Sequence, residues 1–337
     1  MMKVKTFIEC PGKAVRADKR FEHLMAIALN PLSGYKDGII RCITSRKGDV
    51  QINGYVDRSV LYKVRGDSLE HFEIGERLII KNEAEIINKV GGTEGDFIGL
   101  EDPDIWIDDE TGLVRVYFTI PIRHIDKNNK IKIHLGHAVG KDLDSLEMTM
   151  PVLLDTYKFS AKEVSIAPLN VKGYRFNLIE SRDRAENTTY SVVQVAIAKD
   201  MGGPWEYGDI AFHPNKHKIP WIAGHASPGP LLPETFINLG EGKRLGIING
   251  REANQKIGDK IKYGMFSVGL FIYDYENGKI DWVSPEPFIR DSQAKTITFA
   301  SQFVETGRGA GILYAHVDDS FVRAYTLCAD AIKSLLP

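Results

Sequence analysis

Short apolar runs that begin at a glycine-containing turn and end in polar residues recur along the chain. Five copies start about 60 to 75 residues apart, at residues 37–46, 112–123, 173–182, 242–251 and 309–318. Each of the first four copies is followed by a second unit. It consists of a strand-like run, a charged turn, and an aromatic or apolar residue beside an acid, and it covers residues 58–73, 132–147, 191–206 and 267–282. Strand-like runs separated by glycine turns therefore predict repeated antiparallel sheets.

Five copies of one strand pattern predict five sheets that bury their faces against one another. Antiparallel sheets repeated radially form a β-propeller, so the expected fold is all-β, a single five-bladed propeller domain over residues 1–337. The fifth copy is followed by a shortened run, residues 320–327, and the strand-like residues 3–8 are expected to complete its sheet. A helical pattern is confined to residues 329–336. A two-domain β-sandwich is the alternative, which the repeat disfavours.

Composition and charge are those of a globular protein. Hydrophobic residues make up 43% and charged residues 26% of the 337 residues, and the net charge is -2. This balance gives no general electrostatic reason to bind nucleic acid or an anionic membrane. No apolar run approaches the roughly 20 residues that span a bilayer, and the start does not resemble a signal peptide. Cys10, Cys42 and Cys328 are odd in number and lack metal-ligand spacing, so we expect free thiols, a cytoplasmic location and no metal.

Acidic residues cluster before the second apolar strand, in Gly99-Leu-Glu-Asp-Pro-Asp-Ile105. Packing does not require these acids, because burying an unpaired carboxylate is costly. In a propeller the inner strands and their loops line a central channel, which would bring the acids close to residues of other sheets. Glu101, Asp102 and Asp104 are therefore catalytic candidates. Glu163, before the inner strand of the third sheet, and Glu180, at the end of a strand, are candidates for the same reason.

The same reasoning selects polar residues near the ends of other strands as candidates for substrate binding. They are Arg46, His225, Glu234, Arg251, Arg308 and Asp318. Each of these residues could equally hold a turn or pair with a charge on another sheet.

Carboxylates from different sheets that meet in one cleft suit glycosidic bond cleavage. One carboxyl group gives the leaving oxygen a proton, and the other stays charged to activate water or to attack carbon. An apolar wall or a like charge raises the pKa of the first group, and a cation or N–H donors lower the pKa of the second. The sequence carries no phosphate-binding Gly-x-x-x-x-Gly-Lys-Ser/Thr loop, His-Glu-x-x-His or Gly-x-Ser-x-Gly motif, and we expect no cofactor.

The order of these motifs resembles the five-bladed propeller mannoside phosphorylases and mannosidases of glycoside hydrolase family 130. Residues 99–105 are similar to the Glu-Asp-Pro-Arg motif of that family, and Lys162-Glu163 with residues 173–182 is similar to its third-blade strand. The remaining motifs resemble its fourth and fifth blades: Ser227-Pro-Gly-Pro-Leu-Leu-Pro233, Leu245-Gly-Ile-Ile-Asn-Gly250, Val283-Ser-Pro-Glu-Pro-Phe288 and Ala315-His-Val-Asp318.

Three positions depart from the family pattern. Asp104 stands where the motif has arginine, Ile122 stands where phosphorylases have a proton-donating aspartate, and Glu180 stands where a basic residue would bind phosphate. A phosphate pocket needs several cations, and the hydrolase branch is similar in replacing these cations by glutamates. The resemblance therefore implies hydrolysis with inversion rather than phosphorolysis.

The resulting hypothesis is a glycoside hydrolase acting on a mannoside-like oligosaccharide. Glu180 or Glu163 would activate water, and an acid of residues 101–104 would donate the proton or stabilise charge. An inverting enzyme would hold its two carboxyls about 6.5 to 9.5 Å apart. A phosphorylase of the same fold is one alternative, and a propeller that binds carbohydrate or protein without catalysis is another. The chain could also form a homo-oligomer.

Overall fold

The structure is a computed structural model that describes residues 7–92, 95–124, 130–185 and 187–337. Most of the chain is in β-strands, which are numbered in chain order: β1 (Phe7–Glu9), β2 (His23–Leu29), β3 (Asp37–Lys47), β4 (Val56–Ser68), β5 (His71–Arg77), β6 (Gly95–Phe97), β7 (Glu101–Ile107), β8 (Val114–His124), β9 (Lys130–Gly140), β10 (Glu147–Met148), β11 (Lys162–Ser165), β12 (Arg175–Ala185), β13 (Thr188–Ala198), β14 (Glu206–Phe212), β15 (His225–Leu231), β16 (Lys243–Arg251), β17 (Gln255–Ile257), β18 (Lys260–Lys262), β19 (Phe266–Asp274), β20 (Lys279–Val283), β21 (Thr298–Gly307), β22 (Ala310–Val317) and β23 (Phe321–Cys328). The α-helices are α1 (Glu83–Gly91), α2 (Pro214–His217) and α3 (Ala329–Lys333).

The strands form five antiparallel units of four. From inner to outer strand these blades are β2-β3-β4-β5, β7-β8-β9-β10, β11-β12-β13-β14, β15-β16-β19-β20 and β21-β22-β23-β1. The short strand β6 also pairs with β8, and β17 and β18 form a separate hairpin between β16 and β19. A single parallel bridge between Ser191 and His225 joins the third and fourth blades.

The five inner strands form a closed ring. Strand β2 contacts β7, β7 contacts β11, β11 contacts β15, β15 contacts β21, and β21 contacts β2 again. Ring closure gives every sheet two neighbours, as a propeller requires. The prediction of an all-β five-bladed propeller is therefore confirmed.

The N-terminal strand completes the fifth blade. Phe7 of β1 pairs with Leu327 of β23, and Glu9 pairs with Tyr325. This confirms the predicted closing strand, although residues 3–6 of the predicted segment lie outside the described residues. Just beyond β1, the backbone carbonyl of Cys10 accepts a hydrogen bond of 3.0 Å from Arg323 Nη1.

The hydrophobic core consists of clusters between adjacent blades. Neighbouring residues of one middle strand face opposite clusters, because side chains alternate across a strand. Tyr117 thus packs toward the third blade and Phe118 toward the first. Representative pairs across the five blade interfaces are Ile39 with Phe118, Tyr117 with Ile179, Val193 with Ile248, Ile247 with Leu313, and Tyr314 with Ile40.

Helix α1 was not expected from the sequence pattern. It lies between the first and second blades and buries Ile86 and Ile87 in their shared cluster. The helix ends before Gly92, whose φ of 66° lies in the left-handed region that glycine adopts without strain. Its nine residues bury only Ile86 and Ile87, which is too few apolar positions to show a helical period in the sequence. The expected C-terminal helix is present as α3.

Candidate functional site

A cavity of about 670 Å³ lies where the inner strands meet. All five blades contribute charged or polar side chains to its wall. They include Arg41 and Asp57 from the first blade, Glu101 and Asp102 from the second, Lys162, Glu163 and Glu180 from the third, His225 and Arg251 from the fourth, and His316 and Asp319 from the fifth. A cavity of this size with convergent polar groups is typical of a small-molecule site.

Equivalent bulges in two inner strands place carboxyl groups in this cavity. The β7–β8 register shifts between Glu101 and Asp104, and the β11–β12 register shifts between Lys162 and Val164. The bulged residues, Asp102 and Glu163, have φ values of 48° and 51°. A bulge re-aims a side chain, and positive φ is unfavourable for a residue with a Cβ. The backbone is therefore strained at both positions, where the bulge places the side chain in the cavity wall.

The side chains of Asp102 and Glu163 both line the cavity and interact with each other. Burial and the charge of Asp102 raise the pKa of Glu163 well above its usual range. Burial also disfavours the charged form of Asp102, but Arg41 and Lys162 outweigh it and lower the pKa of Asp102. One proton is therefore shared by this pair and resides mainly on Glu163.

Arg41 links the first blade to the acids of the second. Its Nη2 lies 2.6 Å from Glu101 Oε1, and its Nη1 lies 2.8 Å from Asp102 Oδ1. Burial raises the pKa of Glu101 to about 7 despite this contact. The guanidinium therefore mainly keeps Asp102 charged.

Glu180 on β12 is buried, with 4% of its side chain exposed, between two basic groups. His225 Nε2 lies 3.0 Å from Oε2, and Lys162 Nζ lies 3.4 Å from Oε1. Burial opposes ionisation, but His225 and Lys162 outweigh it and lower the pKa of Glu180 to about 2. Burial also lowers the pKa of His225. Glu180 is therefore a carboxylate at neutral pH, and the cavity contains carboxyl groups of opposite protonation state.

The structure brings six of the predicted site residues to the cavity wall. They are Glu101, Asp102, Glu163, Glu180, His225 and Arg251. Arg46 lies behind the wall, where its guanidinium donates to Asp57 at 2.7 and 2.6 Å and to the carbonyl of Asp319 at 3.0 Å. Asp104 follows the bulge and pairs with Tyr117 of β8, outside the lining. Burial raises the pKa of Asp104 to about 7.

Three other predicted residues lie away from the cavity. Glu234 forms a salt bridge of 2.8 Å with Arg244. Arg308 lines a separate surface groove with Glu305. Asp318 accepts hydrogen bonds from the backbone amides of residues 295–297 and holds that turn. Glu234 thus pairs with a local charge and Asp318 with turn amides, which their sequence positions could not reveal.

The fifth blade instead offers Asp319 to the cavity. His316 Nε2 lies 3.1 Å from Asp319 Oδ1, and the Tyr55 hydroxyl donates to Oδ2 at 3.3 Å. Burial disfavours the charged form of Asp319, but His316, Arg41 and Arg46 together outweigh burial and lower the pKa of Asp319. The sequence pointed instead to its neighbour Asp318. Both residues lie in the turn after β22, with φ values of 50° and 48°, and there the two side chains take different partners.

Arg41 was also missed, although the sequence held a signal for it. It interrupts the apolar run Gly38-Ile-Ile-Arg-Cys-Ile43 of β3. A charge in the middle of a buried strand must be paired, because leaving it unpaired would be costly. Such a position therefore indicates a partner elsewhere in the chain.

Ring, blades and cavity together define a five-bladed β-propeller with a charged axial site. No protein-family profile matches the chain, and neither does any curated protein.

Solved structures with the same fold include a candidate glycosidase from Bacteroides thetaiotaomicron, with 16% identity, a TM-score of 0.63 and coverage of 92% of this chain and 88% of that chain. The β-1,2-mannobiose phosphorylase from Listeria innocua, bound to β-1,2-mannobiose, has 12% identity, a TM-score of 0.61 and coverage of 98% and 94%. The mannose phosphorylase MPT-4 from Leishmania mexicana, bound to phosphate ion, has 13% identity, a TM-score of 0.55 and coverage of 96% and 88%. The similarity in fold to mannoside phosphorylases, which the sequence motifs indicated, is thus confirmed.

Two features are absent from the described residues. No helix among them is long and apolar enough to cross a membrane. Within the same ranges, no group of three or more His, Cys, Asp or Glu side chains is arranged to hold a metal ion.

Proposed function

We propose that this protein is a glycoside hydrolase that cleaves a mannoside-like oligosaccharide with inversion. The observation that carries the proposal is the pair Glu163 and Glu180, which face one cavity in opposite protonation states. Pairs of carboxyl groups whose pKa values are pushed apart are the usual acid and base of glycosidases.

In the proposed reaction, Glu180 takes a proton from water as the water oxygen bonds to the anomeric carbon. The glycosidic C–O bond breaks, and its electron pair goes to the leaving oxygen, which receives the proton held by Glu163. The negative charge of Asp102 destabilises the deprotonated form of Glu163, and this favours reprotonation of Glu163 from solvent. His225 and Lys162 hold Glu180 charged and oriented.

The pairing of Arg41 and Lys162 with carboxylates supports hydrolysis over phosphorolysis. Arg41 is paired with Glu101 and Asp102, and Lys162 is paired with Glu180. A phosphate dianion would have to compete with these carboxylates and would lie close to charged Glu180, which is unfavourable. A phosphorylase is nevertheless the second candidate, because mannoside phosphorylases share the fold.

A panel of mannosides and other glycosides tests the proposal, assayed with and without inorganic phosphate. Proton NMR of the first product should show the inverted anomer, at a rate that phosphate does not change. A sugar phosphate product would establish the phosphorylase instead. If no glycoside is cleaved, and the Asp102→Asn and Glu180→Gln variants bind sugar as tightly as the wild type, the propeller binds its ligand without catalysis.

A further inference from the structure

Arg251 differs from the other arginine and lysine side chains that line the cavity. It is the last residue of β16 and pairs across the sheet with His225. The other three form ion pairs: Arg41 with Glu101 and Asp102, Lys162 with Glu180, and Arg182 with Asp155. Across the ranges that the structure describes, Arg251 has no carboxylate within 4.0 Å.

The surroundings of Arg251 hold its guanidinium without neutralising it. The guanidinium carbon lies 4.4 Å from the ring centre of Tyr263 and 5.4 Å from that of Phe266. Its Nε is buried and has no hydrogen-bond partner in the structure. Burial lowers the pKa of Arg251, but an arginine side chain stays charged in a protein. Arg251 as a whole is partly buried, and taking a cation even partly out of water is costly unless an anion pairs with it.

Stacking on aromatic rings fixes the plane of the guanidinium and leaves its N–H edges for a ligand. Those edges match a carboxylate, which accepts two parallel hydrogen bonds. We propose, building on the glycosidase function above, that Arg251 binds a carboxylate carried by the substrate. The preferred substrate is then an acidic oligosaccharide with a uronate residue in this subsite.

The balance of charge favours a sugar carboxylate over free phosphate. One unpaired guanidinium matches one negative charge, whereas phosphate brings up to two. Glu180, which is charged and interacts with Arg251, would repel the second charge. Asn254 and Tyr55 also line the cavity and can bond the neutral hydroxyls of such a sugar.

Isothermal titration calorimetry with D-mannuronate, its neutral methyl ester and inorganic phosphate tests this assignment. Wild-type protein should bind mannuronate at least about tenfold more tightly than the ester, which corresponds to about 1.4 kcal/mol. Arg251→Met should abolish that preference. Arg251→Lys keeps the charge but loses the two-pronged geometry, so its preference should be intermediate. Arg65→Met, which alters an exposed arginine on β4, should keep the full preference.

Three results would overturn the assignment: equal binding of mannuronate and ester by wild type, a preference that survives in Arg251→Met, or Arg251-dependent binding of phosphate without binding of mannuronate. Thermal unfolding of each variant verifies that it is folded. The titrations do not require turnover, so failure of the hydrolase proposal is distinguishable. In that case no glycoside is cleaved although the Arg251-dependent preference persists.

Discussion

Asp102 and Glu163 occupy equivalent bulges on adjacent inner strands, and both side chains line the cavity, where they interact. The first blade has a bulge at the same place in β2, where the residue is Ala26. The propeller thus repeats one backbone device in neighbouring blades, and the side chain at each bulge decides whether that blade contributes a carboxyl group.

If Glu163 supplies the proton, Glu163→Gln should lower kcat about 10²- to 10⁴-fold. The amide keeps the size of the side chain but has no acidic proton to give. A substrate with an acidic leaving group, such as a dinitrophenyl glycoside, needs little protonation and should lose much less. Steady-state kinetics on the two substrates measures this difference.

Glu241→Gln is the matched control, because Glu241 is exposed in the turn before β16. It should leave kcat unchanged on both substrates. Equal losses on both substrates in Glu163→Gln would show that Glu163 does not act as the acid.

The pKa directions predict an unusual pH profile for kcat/KM. Glu163 must be protonated, and because its pKa is raised, activity should persist well above the usual glutamate range and fall as pH rises through that pKa. Glu180 must be charged, and its pKa of about 2 means that no acid limb should appear near the usual glutamate pKa, about 4.3.

His225→Ala should move the acid limb of that profile to higher pH. The substitution removes the contact that most strongly lowers the pKa of Glu180, so that pKa rises and Glu180 is protonated, and inactive as a base, at higher pH. His71→Ala, at an exposed position on β5, should leave the profile unchanged. An unshifted acid limb in an active His225→Ala variant would exclude Glu180 as the base.

Arg41→Met should destabilise the fold by about 3–5 kcal/mol, because it leaves a buried carboxylate of Asp102 without its partner. Arg16→Met removes an ion pair with Glu73 whose two side chains are 78% and 71% exposed, and should cost less than about 1 kcal/mol. Urea unfolding compares the two. Adding Asp102→Asn to Arg41→Met should restore part of the loss; no restoration would mean that the arginine acts through packing.

Removal of residues 1–9 should lower the melting temperature and promote self-association. This truncation deletes β1, exposes the edge of β23, and removes the contact between Phe7 and Phe288, whose ring centres lie 5.8 Å apart. Unpaired strand edges recruit other chains. Thermal unfolding and size-exclusion chromatography measure both effects, and a truncated chain that stays monomeric with an unchanged melting temperature would contradict the closing role of β1.

The sequence by itself determined the fold class. Apolar runs repeated at a regular interval specify sheets. The shortened last copy indicates that another segment must complete the fifth sheet, because a sheet without its outer strand would leave apolar surface in water. The sequence also identified most of the cavity carboxyls, since acids beside buried strands need a reason other than packing. Helix α1 was not predicted, because its nine residues contain too few apolar positions to show a helical period.

Only the tertiary structure decided which charged residues face the cavity and which of them hold a proton. Asp318 and Asp319 are adjacent, yet one holds a turn and the other lines the cavity. Arg41 pairs with acids about sixty residues away, and Glu180 with a histidine of another blade. The pKa of a buried carboxyl depends on the charges around it in space, and ring closure sets those neighbours independently of their distance along the chain.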